Sequence, residues 1–227
     1  MLIVGLDDTD ILGTRGTGHL ARAIAAVIAA SYPLLGVTRH QLLVHPQVPC
    51  TKNNSSAAIL VDAPATAQFE VLQRVRELML ADFIQGSDPG LCVAAEVPPA
   101  VIAFGQRVQL ELVTSTEARQ LAAAHNIPLL GLGGDESGII GALAAVGLAA
   151  SAEDGRYVLV GRSRELTGLQ PVAALLEAGI VAVRTPDGQP VTAGLVDTER
   201  LRPARRGGQP IAVVEWTQDH WHPLKLD

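Results

Sequence analysis

Leu2-Ile3-Val4-Gly5-Leu6-Asp7-Asp8-Thr9-Asp10, followed by Gly13-Thr14-Arg15-Gly16-Thr17-Gly18-His19, opens the chain and decides how it folds. A short apolar run that stops at carboxylates reads as a buried strand. The glycine-rich stretch after it is a loop. Leu20, Ile24, Val27 and Ile28 then recur at i, i+4, i+7 and i+8, one apolar stripe on a helix from about Thr17 to Ala30. Strand, loop and helix in this order predict a layered α/β fold, with α+β as the other reading.

The same alternation continues outward from this first unit. Further strands are predicted at Val37–Val44, Ala57–Val61, Leu91–Ala95, Arg107–Val113, Ile127–Leu132 and Arg156–Val160. Phe69, Leu72, Val75 and Met79 mark a second helix. Thr114-Ser115-Thr116-Glu117 is a T-x-x-E capping box that opens a third, which ends before Pro128. A fourth, Ile139 to about Ala150, is apolar on every side and reads as core, although it would also tolerate a dimer interface. The expected division is a main domain over 1–160 and a small β-rich module over 161–227. The module opens a short helix at Pro171 and adds β segments at Ile180–Arg184, Val191–Val196 and Ile211–Trp216. Thr185-Pro186-Asp187-Gly188 supplies a hairpin turn.

Composition narrows the function. The 227 residues carry 17 Lys+Arg against 23 Asp+Glu and only 3 % aromatics, which disfavours nucleic-acid binding by broad phosphate neutralisation or base stacking. Residues 1–160 hold 9 basic and 15 acidic side chains, whereas 161–227 hold 8 of each, so the net charge of −6 belongs to the first part. Arg200, Arg202, Arg205 and Arg206 form one basic run in a Gly- and Pro-containing loop, read as solvated surface or a partner contact. No uncharged stretch reaches the roughly 20 residues of a membrane span, and the first residues lack a secretory n-region, so the expected compartment is the cytoplasm. Cys50 and Cys92 form no C-x-x-C pair, and His220 and His222 flank Trp221 without a third ligand nearby in sequence.

Three segments carry chemistry. In the first, Gly16, Thr17 and Gly18 open a helix whose unpaired amides suit an anion, while Asp7, Asp8 and Asp10 would repel one unless a hard cation lies between. That juxtaposition suggests a metal nucleotide; a solvated turn is the bland alternative. It is neither the dinucleotide fingerprint, whose glycines follow the strand directly, nor a Walker loop, which needs G-K-[ST]. In the second, Val48-Pro49-Cys50-Thr51-Lys52-Asn53-Asn54-Ser55 offers Lys52 as a point charge for phosphate and Asn53, Asn54 and Ser55 as donors and acceptors, or else a polar turn. The third, Gly131 to Ala142, is another glycine-rich helix entry. Gly86-Ser87-Asp88-Pro89-Gly90 reads as an ordinary turn.

Taken in order, Gly5–Asp10, Val48–Ala57 and Gly138–Gly147 resemble the kinase-like domain of the archaeal 2-agmatinylcytidine synthetases that modify an isoleucine tRNA, over about residues 1 to 160. The resemblance implies ATP and Mg²⁺, and activation of a carbonyl oxygen by phosphorylation ahead of amine attack. It implies that Asp7, Asp8 and Asp10 hold metal and phosphates, that Lys52 is catalytic, and that Gly16, Thr17, Gly18, Asn53, Asn54, Ser55, Gly134, Ser137 and Gly138 surround the nucleotide. The family's K-T-R-G-N-G-A reads Thr51-Lys52-Asn53-Asn54-Ser55-Ser56-Ala57 here, so the Lys is displaced and the Arg missing. The expected activity is an ATP- and Mg²⁺-dependent phosphotransferase or synthetase acting on a small molecule or nucleoside. The alternatives are a tRNA-cytidine modification subunit working with a partner, and a nucleotide-binding protein without turnover.

Overall fold

Strand β1 (Leu2–Asp7) is apolar on both faces and therefore needs cover on both, which explains the layered build of the first part of the chain. The computed structural model describes residues 1–48, 50 and 53–226, and divides into two units, Met1–Ser151 and Ala152–Asp227. In the first unit β1 is followed by α1 (Thr17–Ile28), β2 (Leu34–Gln41), β3 (Ser55–Val61), α2 (Gln68–Asp82), β4 (Gly90–Ala94), α3 (Pro99–Leu110), α4 (Ser115–Ala124), β5 (Leu129–Gly131) and α5 (Ile139–Ser151). The strands pair in the order β5-β4-β1-β3-β2, every pair antiparallel.

Helix α5 lies across β1, β3 and β4, with α3 packed on it. It comes so close that a Cβ on Gly5 would run into the Ala142 carbonyl. Leu2, Val4 and Leu6 alternate with Gly5 and so point to the opposite face, which α1 and α2 cover. The all-apolar α5 is thus buried within its own chain, in keeping with the core reading and offering no dimer surface.

The predicted helices at Thr17, Phe69–Met79, Thr114 and Ile139 are all present, and both arms of the capping box form: Thr114 Oγ1 accepts from the Glu117 amide, and Glu117 accepts from the Thr114 amide. Phe69, however, faces solvent, and Val71 joins Leu72, Val75 and Met79 on the buried face. The predicted strand Arg107–Val113 is not one. Val108, Leu110 and Leu112 alternate like a strand, but Val101, Phe104 and Val108 are buried at helical spacing, and Pro99 stands at the first helical position, where its missing N–H costs nothing. α3 takes the segment as far as Leu110.

The second unit contains β6 (Arg156–Leu159), β7 (Leu169–Pro171), α6 (Val172–Glu177), β8 (Ala182–Arg184), β9 (Leu195–Asp197), β10 (Ala204–Arg206), β11 (Gln209–Trp216) and β12 (Trp221–Pro223). Its core gathers Val172, Leu175, Ile180, Val183, Val196 and Val214. Of the segment expected at Val191–Val196, only the end is strand. The turn at Thr185–Gly188 closes as expected, with the Gly188 amide on the Thr185 carbonyl and Gly188 at φ +86°. Of the basic run, Arg200 is exposed in a turn and Arg202 lies outside any strand, whereas Arg205 and Arg206 belong to β10. Gly207 and Gly208, at φ +56° and +73°, make a two-residue hairpin that pairs Arg206 with Gln209 and buries Arg205 on β10. Among the described residues no helix is long and apolar enough to cross a membrane.

The close seam between β1 and α5 is open to test. Gly5→Ala drives a methyl group into the Ala142 carbonyl and should cost about 2–3 kcal/mol, read as a lower midpoint in thermal or urea unfolding; wild-type stability would contradict the packing described.

Candidate functional site

Antiparallel registers bring four segments to one end of the sheet. Asp7 pairs with Gly90, so the end of β1 meets the start of β4; Leu6 pairs with Ala57 and Gln41 with Ser55, bringing in the connection from β2 to β3. Gly90 also pairs with Gly131, which places the loop from β5 to α5 at the same end. These loops enclose a cavity of about 260 Å³. Asp7, Asp8, Asp10, Asp88 and Asp135 line one side, and Leu42, Leu43, Val48, Val108 and Leu112 contribute an apolar wall.

Each aspartate is held differently. Asp7 leaves β1 on the face of α5, where a Cβ on Gly141 would collide with its carboxylate, so this turn of α5 must be glycine. Asp8 adopts φ +50°, a left-handed conformation uncommon for a non-glycine residue, and the strand direction breaks there. Asp10 Oδ1 accepts from both the amide and the hydroxyl of Thr17, at 3.1 Å each, and Thr9 Oγ1 lies 3.2 Å from the same hydroxyl. Asp88 Oδ1 accepts from the Asp135 amide at 2.7 Å, its carbonyl accepts from Gly138 N, and Asp135 Oδ1 accepts from Ser137 N.

These contacts alter one expectation. Two of the amides at the helix starts are already engaged: Thr17 N donates to Asp10 and Gly138 N to the Asp88 carbonyl. Nor do Asp7, Asp8 and Asp10 form a closed cage. Among the described residues the one group whose ligand atoms all lie within 4.8 Å of one another is elsewhere, in the second unit. The cavity nevertheless has a strong electrostatic character. No Lys, Arg or His lines it among the described residues, and Arg15, the base nearest in sequence, pairs with Asp82. Burial, then the neighbouring Asp8 charge, lifts the Asp7 carboxyl well above the usual carboxylate range. Burial, followed by Asp88 and Asp10, pushes Asp8 up to about 6.

Of the residues expected to form a site, Asp7, Asp8, Asp10, Thr17, Asn53, Asn54, Ser55, Ser137 and Gly138 line this cavity, and Gly16, Gly18 and Gly134 do not. Gly16 is the N-cap of α1, and Gly134, at φ +59°, lies against the Asp88 carboxylate, where a side chain would clash. Asn54 is turned back, its Nδ2 donating to the Leu43 carbonyl at 2.8 Å. Lys52 lies outside the described residues. In sequence Asp88 is indistinct, because Gly86–Gly90 is complete as a turn; the register between β1 and β4 brings it near Asp8.

No protein-family model and no curated protein matches the chain. Solved structures do. A tRNA fluorescent-labelling enzyme is similar at TM-score 0.56 and 24 % identity over 64 % of this chain and 35 % of that one. TiaS in its complex with an isoleucine tRNA and ATP gives TM-score 0.56 and 24 % identity, covering 64 % and 36 %. Apo TiaS, an agmatidine synthetase of that tRNA, gives 0.54 and 23 %, covering 64 % and 35 %. Over that 64 % the chain shares a fold with these proteins, as its motifs suggested, and the match spans about a third of their length.

The raised carboxyls make stability pH-dependent. A folded chain that binds protons more tightly than the unfolded one loses stability as pH rises, here from about 4 to about 6, the interval between the ordinary value of 3.8 and that of Asp8. In metal-free buffer at pH 7.5, Asp8→Asn should melt about 2–4 °C above wild type, and the difference should vanish at pH 4; a lower midpoint at pH 7.5 would contradict the electrostatics.

Proposed function

We propose that the first unit binds ATP through a divalent cation and transfers a phosphoryl group to an oxygen of a second substrate. The observation that carries this reading is a cavity lined by five aspartates with no described cation to balance them. Mg²⁺ suits the donor set, since it takes one or two hard carboxylates and completes its shell with phosphate oxygens and water, so three converging ligands are not required. Asp7 and Asp8 would hold it. When bound, the ion supplies neutralisation of charge on the phosphates and on these carboxylates.

The chain's own residues have distinct tasks in this scheme. Asp7 and Asp8, whose carboxyls hold protons more tightly than usual, must be deprotonated to bind a cation, so affinity rises with pH through about 6. Asp10 positions: through Thr17 it ties the end of β1 to the first turn of α1 and fixes the loop between them. Asp88 positions in the same way, holding the entry of α5 by the Asp135 and Gly138 amides. The apolar wall of Leu42, Leu43, Val48 and Val108 suits a planar ring, and Lys52 would bring positive charge to the transferred group. With Thr17 N and Gly138 N already engaged, polyphosphate binding relies on the cation.

A second reading makes the acceptor a tRNA nucleotide, with a partner supplying the grip that an acidic first unit does not. It is favoured by the similar structure solved with tRNA and ATP together. Acceptor identity separates the two readings: phosphate transfer in the presence of nucleosides alone supports the first, and transfer only with a tRNA transcript and a partner fraction supports the second.

Nucleotide should raise the melting midpoint only with Mg²⁺ present, the gain should disappear with a chelator, and Asp8→Asn should abolish ATP turnover while remaining folded. Undiminished turnover in that variant, or equal stabilisation by ATP with a chelator, would overturn the proposal.

A further inference from the structure

Strand β12 carries His220-Trp221-His222 at and just before its start, and its parallel partner β9 ends Val196-Asp197. Trp221 pairs with Val196. Side chains alternate along each strand, so Val196 and Trp221 share the face that packs on the core of the second unit, whereas Asp197, His220 and His222 share the other. One ligand atom from each of these three lies within 4.8 Å of the others, and all three residues are partly buried.

The spacing is informative. His222 Nδ1 and Asp197 Oδ2 are 3.7 Å apart, too far for a hydrogen bond but close to the ~3.4 Å separating two ligands of a tetrahedral ion with bonds of about 2.1 Å. The atoms that would not bind metal are already engaged. Asp197 Oδ1 accepts from the Glu199 amide at 3.0 Å, which leaves Oδ2 to the site. His220 Nδ1 lies 2.6 Å from Asp219 Oδ1, the carboxylate–histidine pairing that fixes a ring tautomer and leaves Nε2 to coordinate.

We propose that Asp197, His220 and His222 bind a borderline-soft divalent ion of the Zn²⁺ class, with Asp219 and Glu199 as positioning residues and a water completing the tetrahedron. The chemistry is distinct from that of the first unit: imidazole nitrogens select Zn²⁺ over Mg²⁺, whereas an all-aspartate cavity does the opposite. Its consequence is structural. β9 and β12 are three-residue strands joined at a single register, and an ion bridging them fixes the last strand of a small unit whose core is modest.

The test uses the full chain without a polyhistidine tag, titrated with zinc chloride. Trp216 and Trp221, the chain's two tryptophans, pack edge to face 5.0 Å apart, and Trp221 stands between the two histidines in sequence on the opposite face of the strand, so intrinsic fluorescence is a probe of its ordering. The expected result is about one equivalent of Zn²⁺ retained after dialysis, a fluorescence change on binding, and a tetrahedral absorption band when Co²⁺ replaces it. His222→Ala and Asp197→Asn should each weaken binding at least tenfold, Asp219→Ala about tenfold, and Asp8→Asn not at all. Should a variant fail to fold, the wild-type Co²⁺ band and its loss on chelation still decide the matter. No retained zinc and no band in wild type, or unchanged affinity in both ligand variants, would overturn the assignment.

Discussion

The approach of α5 to β1 leaves no room for a side chain at Gly5 or at Gly141, and the position of Asp7 follows from that fact. With α5 so close, the Asp7 carboxylate has the helix backbone at its side and loses most of its water, and burial raises its proton affinity. The turn at Asp8 must then leave the strand without striking Gly138, where the chain takes the left-handed conformation. Packing therefore sets the electrostatics of the cavity, because it brings carboxylates together where no described base lies between them.

A second constraint, the all-antiparallel pairing of the first sheet, turns that local strain into a site. The strands ending or starting at one end of the sheet make neighbours of residues 8–10, 42–48, 53–54, 88–89 and 132–138, although they are scattered in sequence. The apolar wall comes from the end of β2 and from α3, and the Leu43 amide is tied to the Val108 carbonyl at 3.1 Å. The cavity thus has an acidic side and an apolar side, built by different layers of one fold.

Much of this was legible beforehand where the signal is local. The strand ending in aspartates, the stripe of α1 and the reciprocal cap at Thr114 and Glu117 depend on neighbours within a few residues, and all are present. Non-local features were not legible. Asp88 looks like part of a turn until register places it against Asp8, and Asp197 looks like an isolated carboxylate until β9 lies beside β12. Local patterns also misled where two periods coincide: Val108, Leu110 and Leu112 alternate, yet the earlier Pro99, Val101 and Phe104 determine a helix. The Gly- and Pro-containing stretch around Arg205 and Arg206 reads as a loop, whereas two positive φ values in succession, at Gly207 and Gly208, make a tight hairpin with Arg205 buried on its first strand.

The central claim, that the aspartate cavity receives a cation-bound nucleotide, is tested most directly by crystals grown with Mn²⁺ and a non-hydrolysable ATP analogue, with data collected for the anomalous signal of manganese. The expected result is an anomalous peak in the cavity with carboxylate oxygens of Asp7 or Asp8 in its coordination shell and the triphosphate reaching it from the side of the β2–β3 connection. A nucleotide bound elsewhere on the first unit, or well-ordered nucleotide in the cavity with no manganese at either aspartate, would contradict it.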